Sequence, residues 1–337
     1  MKIAIITYHY SNNKGAFMQT YGLCKFLKEK GYDLELIDIR QSEEAGQPIY
    51  VKILKSIIMG YRMKKDMQEY YPPLTRRYNS VEELRDDPPK ADCYIVGSDQ
   101  VWNPNISKDL MMAYFLDFGG KNIKRISFAS SFGISEWQIN DSSVNNKITS
   151  LLNSYSGLSV RENEGKLLCE KVFHISPNVV LDPTFLNRDY SELLQNVKPR
   201  DIIVCYKINK TVDFWNNAPR VSKILKKPMY LLNYNYPRRG FNYCFPPSLQ
   251  TWMKYIVGSS FIITDSFHGV ALSIIHKKQF AAILNHNDRD SRLINLANEF
   301  GLQSRLYNSI EEMLIDNDWQ KPINYEIINP QINKRII

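Results

Sequence analysis

Short apolar runs recur along this chain, and most are followed at once by a polar cluster. Lys2–Thr7 (KIAIIT) and Asp33–Ile39 flank Gly15–Lys30, where Phe17, Tyr21, Cys24 and Leu27 fall at helical steps and Gly31 supplies the stop. The pattern continues at Cys93–Val96, Ile126–Ala129, Leu158–Val160 and Val179–Leu181. It restarts after Lys198–Arg200 with Ile202–Tyr206, Met229–Leu232, Phe261–Thr264 and Phe280–Leu284. Strands this apolar are buried on both faces, which calls for parallel sheets covered by helices. The expectation is an α/β chain with an N-terminal domain over 1–190, a C-terminal domain over 200–310 and a helical tail over 311–337. The boundary falls in the polar, proline-bearing stretch Asn187–Arg200.

In open parallel sheets, ligands bind outside the carboxyl ends of the strands. GSDQVWN (Gly97–Asn103), SSFG (Ser130–Gly133), Arg161-Glu162, Asp182-Pro183 and DSFHG (Asp265–Gly269) each follow one of the runs. Any strand-to-helix turn needs Ser, Asp, Asn and Gly for capping, so each cluster alone reads as a cap. Together, with His, Arg and Trp among them, they sketch a site.

Composition narrows the partners. The chain has 337 residues, 44% apolar and 23% charged, as in an ordinary globular protein. Its five cysteines are widely spaced and form no C-x-x-C pair, the usage of a reduced, cytoplasmic chain. The N-terminal apolar run is too short for a signal-peptide core, and no stretch reaches the roughly 18 apolar residues of a spanning helix. The net charge of +8 suits an anionic substrate or an anionic membrane surface. No nucleic-acid-binding module accompanies it, so nucleic acid is not an expected partner. The apolar-basic segment Ile49–Arg62, followed by Lys64, Lys65, Arg76 and Arg77, reads either as a helix packed on its own domain or as a peripheral contact with the inner membrane face.

Familiar motifs are absent. There is no G-x-G-x-x-G after the first run, no Walker A, no G-x-S-x-G and no H-E-x-x-H. Asp288-Arg289-Asp290 and Asp316-Asn317-Asp318 are weak D-x-D patterns, and the histidines lack metal-ligand spacing, so no metal is expected.

Six further stretches, in order, carry a resemblance: Asn12–Tyr32, IVGSDQVWNP (Ile95–Pro104), ISFASSFG (Ile126–Gly133), SVRENEG (Ser159–Gly165), VLDPTFL (Val180–Leu186) and ITDSFHGVALSII (Ile263–Ile275) with DRDSRL (Asp288–Leu293). The chain resembles the polysaccharide pyruvyltransferase family in its DSFHG form. The resemblance implies two Rossmann-like domains with parallel sheets in a GT-B glycosyltransferase-like architecture. It also implies phosphoenolpyruvate as donor, no cofactor and a sugar acceptor from a cell-surface polysaccharide precursor, carried by analogy on a polyprenyl lipid. In the SRLH form of the motif an arginine precedes the histidine. Here Ser266 stands in its place and Phe267 replaces the leucine, while His268 keeps the catalytic position. Arg161 matches the family's other donor-binding arginine, and Arg289 and Arg292 are candidates to replace the charge missing at Ser266.

Ketal formation needs acid and base in turn, which suits a histidine titrating near neutral pH. Guanidinium groups and a helix N-terminus suit the donor's carboxylate and phosphate. Asp265 and Ser266 are expected to cap the helix that begins there. On the acceptor side the candidates are Ser98, Asp99, Gln100 and Ser130 for sugar hydroxyls, and Trp102 as a stacking face or plain packing. Asn12, Asn13 and Gly15 sit at the mouth of the first helix, and His9 is a second acid/base candidate. Two competing readings share this fold: a nucleotide-sugar glycosyltransferase, and an inert sugar-binding member of an assembly complex.

Overall fold

The computed structural model describes residues 1–10, 13–40, 60–187, 189–232, 238–244, 247–286 and 290–328. Asn12, Arg289 and the apolar-basic run over 49–59 lie outside them. The chain divides into two compact units, Met1–Asn187 and Arg188–Ile337.

Among the described residues the first unit holds seven strands: β1 (Lys2–Ile6), β2 (Asp33–Ile39), β3 (Leu74–Tyr78), β4 (Cys93–Val96), β5 (Lys124–Ser130), β6 (Gly157–Val160) and β7 (Asn178–Val179). All pairings are parallel, in the order β3-β2-β1-β4-β5-β6-β7. Successive side chains on a strand face opposite ways. Ile3 and Ile5 therefore join one apolar cluster with Leu23, Leu36 and Ile95, while Ala4 and Ile6 join the other with Val96, Trp102 and Phe132. The first helix, Lys14–Glu29, covers one face. Gly22 lets it approach the turn at Pro183, since a Cβ there would lie 2.5 Å from the Pro183 carbonyl oxygen, and Asn187 Nδ2 donates to the Gly22 carbonyl at 2.8 Å.

The second unit repeats the scheme with β8 (Ile203–Tyr206), β9 (Met229–Leu231), β10 (Asn242–Tyr243), β11 (Phe261–Thr264), β12 (Phe280–Ile283) and β13 (Leu306–Tyr307). Their order is β10-β9-β8-β11-β12-β13, again all parallel. Both sheets thus start at the centre, wind outward to one side, then cross back and wind outward to the other, which is the doubly wound Rossmann plan.

Three strands were not foreseen. β3 (LTRRY) is an edge strand with only its last residue buried, and β10 and β13 are two residues long. The expected strand Val179–Leu181 shortens to Asn178–Val179, because Asp182 starts a 3₁₀ turn that pulls the chain away. Beyond residues 49–59, the helix Tyr61–Tyr70 buries Met63 and Met67. Lys14 pairs with Asp66 at 2.7 Å and Phe17 stacks on Tyr71 at 4.2 Å, so this helix packs on its own domain.

Candidate functional site

In a doubly wound sheet the crevice opens where the strand order reverses. In the second unit that point lies between β8 and β11, in register at Tyr206↔Thr264. The residues just beyond are Lys207 and Asp265, and both are buried. Lys207 Nζ lies 3.0 Å from Asp265 Oδ2. The same carboxylate accepts the backbone N–H of Ile208 at 2.6 Å and of Asn209 at 2.8 Å.

The cap expected of Asp265 and Ser266 is therefore corrected. Asp265 is turned to the loop after β8, and Ser266 makes no side-chain cap to the helix Phe267–Ile275. No acidic residue stands in that helix's first turn, so the positive end of its dipole is not offset there. The turn is tied instead by Thr264, whose hydroxyl donates to the Tyr206 carbonyl at 2.7 Å and accepts from the Ser266 N–H at 3.0 Å.

His268 sits in the first turn of this helix, 4% exposed, with the Phe267 ring edge-on at 5.3 Å. Lys210, on the loop after β8, is half-buried within reach of the charges of Asp265 and Lys207. Burial lowers its pKa, Asp265 raises it and the charge of Lys207 lowers it further, so the three groups feel one another. Among the described residues here, two lysines stand against one carboxylate, a surplus of positive charge. Sequence reasoning passed over Lys207 and Lys210. The available signal was a lysine directly after a wholly apolar run, at the end where ligands bind. Arg292 lies in the helix Asp290–Glu299, which follows β12. Asp290 holds the preceding loop by accepting the N–H groups of Asn285 and His286.

In the first unit the reversal lies between β1 and β4. Arg161, after β6, is 7% exposed, and its Nη1 meets Asp182 Oδ2 at 2.9 Å and Ser98 Oγ at 3.4 Å. Glu162 Oε2 is 3.5 Å from Arg161 Nε. Ser98 also donates to Asp182 at 2.8 Å, and Ser131 donates to Glu162 at 2.5 Å. Burial disfavours the charged guanidinium, but Asp182 and Glu162 outweigh it and hold its pKa above the usual arginine value. Asp182 is thus more than a turn former. It joins β4, β6 and the turn at Pro183 through one carboxylate.

Several acceptor-side candidates prove to be interior residues. Trp102 is fully buried between Phe115 and Phe132 and donates Nε1–H to the Tyr114 carbonyl, so it packs the core and presents no face. Ser98 and Ser130 are fully buried, the latter donating to the Gly97 carbonyl at 3.1 Å. Gln100 accepts from Asn103 and closes over Gly133. Asn13 caps the first helix by accepting the Gly15 N–H at 2.9 Å, which occupies that donor. Asp99 differs from these. It is part-exposed, and its backbone is left-handed at φ 77°, a strained setting for any residue with a Cβ.

The sequence model of polysaccharide pyruvyl transferase matches residues 13–287. The chain belongs to that family. A search of curated proteins found no match. Among solved structures the chain is similar in fold to a UDP-GlcNAc 2-epimerase from Methanocaldococcus jannaschii bound to UDP-GlcNAc and UDP (TM-score 0.55, 13% identity, 100% of this chain and 93% of that one). It is also similar to the glycotransferase of kitacinnamycin (0.54, 12%, 99% and 95%) and to a UDP-N-acetylglucosamine 2-epimerase from Rickettsia bellii (0.55, 11%, 99% and 92%). These identities carry the fold alone: two parallel-sheet α/β domains of the GT-B type. As a member of the pyruvyl transferase family the chain is a transferase, and its DSFHG sequence lies inside the matched region. No helix among the described residues is long and apolar enough to cross a membrane.

Proposed function

We propose that this pyruvyl transferase takes the enolpyruvyl group of phosphoenolpyruvate and sets it as a ketal on a sugar of a polysaccharide precursor, with His268 as the acid/base group. The observation that carries the reading is the DSFHG turn. It holds a buried histidine in the first turn of a helix at the sheet's reversal point, beside the Lys207–Asp265 pair.

The chemistry adds a sugar O–H across the enol double bond. A proton goes to C3, the sugar oxygen bonds to C2, and the hydroxyl proton is given up to the base. Phosphate then leaves C2, a second hydroxyl of the same sugar bonds there, and its proton departs with the phosphate. No proton is consumed overall, so one group that gives and takes a proton in turn suffices. His268 fills that role. The helix N-terminus and the lysine surplus favour the donor's anionic groups, standing in for the charge missing at Ser266. Lysine does this as a point charge, without the fork of an arginine. Arg161, tied to Asp182 and Glu162, keeps its donor-side assignment on the family resemblance, while Ser266 is a hydroxyl donor to the phosphate and Arg292 a candidate for the charge it lacks.

The test is phosphate release from phosphoenolpyruvate with a panel of lipid-linked sugars, read together with the mass gain of the acceptor. His268→Ala should retain its fold and lose about 10²–10⁴-fold in rate. A folded variant with near-wild-type turnover would refute the assignment. Sugar transfer from a nucleotide donor without phosphoenolpyruvate would refute the reaction.

A further inference from the structure

A cavity of about 250 Å³ opens at the carboxyl edge of the first unit's sheet, beside β1 and β2. Its walls include Tyr8, Tyr10, Tyr114, Arg40 and Arg77, with His9 behind them. Nothing in the proposed proton transfer uses it.

The walls are fixed from within. Asp38 takes two hydrogen bonds from Arg40, at 2.6 and 2.7 Å, and one contact from His9 Nε2 at 3.1 Å. His9 Nδ1 faces the Thr7 carbonyl at 3.2 Å, so both ring nitrogens meet protein acceptors. His9, the second acid/base candidate, is thereby a wall support. The Arg40 guanidinium lies over the Tyr10 ring at 3.7 Å, and the Tyr8 and Tyr114 rings meet edge-on at 5.0 Å. A carboxylate and a guanidinium satisfied against each other hold the aromatic surfaces rigid before any ligand arrives.

Arg77 is different. It pairs with Asp38 only through the parallel register of β2 and β3, its side chain is exposed, and it makes no ion pair among the described residues. The cavity therefore offers the half-buried Tyr8 and exposed Tyr10 rings for C–H surface and, among the described residues, one guanidinium outside any ion pair for an anion. Its volume is just below the roughly 300–1,000 Å³ usual for drug-sized ligands, which suits a single ring. A bare three-carbon diacid would leave the tyrosine faces uncovered.

We propose that this cavity binds a pyranose ring carrying an anionic substituent, with Arg77 on the anion and the tyrosines on the ring. If the chain is a pyruvyltransferase, this is the acceptor sugar or its neighbour in the repeat, and the inference rests on that reading only for the ligand's role. The anion is a carboxylate, as in a hexuronic acid, or a phosphate, as in a hexose 1-phosphate.

The full chain is titrated calorimetrically, without phosphoenolpyruvate, against the methyl glycoside of glucuronic acid, glucose 1-phosphate, methyl glucoside and uridine monophosphate. One anionic sugar should bind saturably, at least about tenfold tighter than methyl glucoside, and the tighter of the two identifies the anion. Arg77→Ala should remove that preference, Arg77→Lys should restore part of it, and Tyr10→Ala should weaken all sugars together. Equal binding of charged and neutral sugars, no sugar binding, an unchanged Arg77→Ala, or tighter binding of the nucleotide would each overturn the site. Binding without ketal formation would leave the site standing and remove the transferase reading. Ketal formation indifferent to Arg77 would do the reverse.

Discussion

The sharpest structural prediction concerns Gly269, the last residue of DSFHG. An alanine in a helix is ordinarily more stable than a glycine by about 1 kcal/mol. Here a Cβ would lie 2.2 Å from Thr264 Oγ1 and 2.9 Å from its Cβ. The hydroxyl cannot turn aside without giving up the Tyr206 carbonyl and the Ser266 N–H, both buried. Leaving two such groups unmet costs about 1–3 kcal/mol each, so the clash outweighs the helix gain by roughly 1–5 kcal/mol. Gly269→Ala should lower the melting temperature by at least about 2 °C. Thr264→Ala abolishes the same two bonds and the 2.2 Å contact, leaving only the 2.9 Å contact with its Cβ, so the double variant should lose less than the sum of the two single changes. Its two effects should fall short of additivity by about 0.5 kcal/mol or more. Calorimetry on the four proteins checks this. A Gly269→Ala protein as stable as wild type, or strictly additive effects, would show that the hydroxyl does not hold the turn.

Other outcomes follow from buried charges and thiols. Lys207→Met leaves the Asp265 carboxylate buried without its cation and should destabilise the protein by about 3–5 kcal/mol in urea unfolding, whereas Lys207→Met with Asp265→Asn should recover part of that loss. Burial works against the Asp38 carboxylate, but hydrogen bonds from His9 and Arg40 outweigh it and bring its pKa down to about 2. Its contribution is thus full above the ordinary carboxylate pKa and is lost as pH falls from about 4 toward 2, and Asp38→Asn should flatten the acid-unfolding curve over that window. Burial, with help from Lys278, lowers the His276 pKa to about 4, so folding binds this histidine neutral. That stability is complete above about pH 6.5 and declines as pH falls through 4, a slope that His276→Gln should remove. Burial raises the pKa of Cys24, Cys205 and Cys169, whereas Cys244 is only partly buried, so native alkylation followed by peptide mapping should find Cys244 modified ahead of those three.

Much of the fold was legible because parallel strands buried on both faces must be apolar throughout. Cys93–Val96 and Phe261–Thr264 begin and end where the residue pattern says, as does Asp33–Ile39, which carries acidic residues among its apolar ones. β3 escaped because an edge strand need not be apolar, and Leu74–Tyr78 carries two arginines. The strand-end rule foresaw that His268, Arg161 and Asp99 lie just past the carboxyl ends of β11, β6 and β4. It could not say which polar residues there face inward. Ser98, Ser130 and Asp182 read like surface polar residues, yet each is fully buried with protein partners. Trp102 shows the same limit for aromatics: sugar-stacking and core rings look alike until their neighbours are known. The partner of Asp265 is Lys207, distant in sequence and brought alongside only by the β8–β11 pairing, so local capping logic chose the wrong contact.

The left-handed Asp99 has a consequence for how this protein can change. Burial raises the pKa of Tyr8 and Tyr114, and the Asp99 carboxylate raises both further, so its charge reaches two of the phenols at the cavity. Glycine at this position would relieve the backbone but forfeit the hydrogen bond that the carboxylate accepts from the Gln100 N–H at 2.9 Å. Any change at this residue therefore sets a relaxed backbone against a lost hydrogen bond and an altered charge beside two tyrosines.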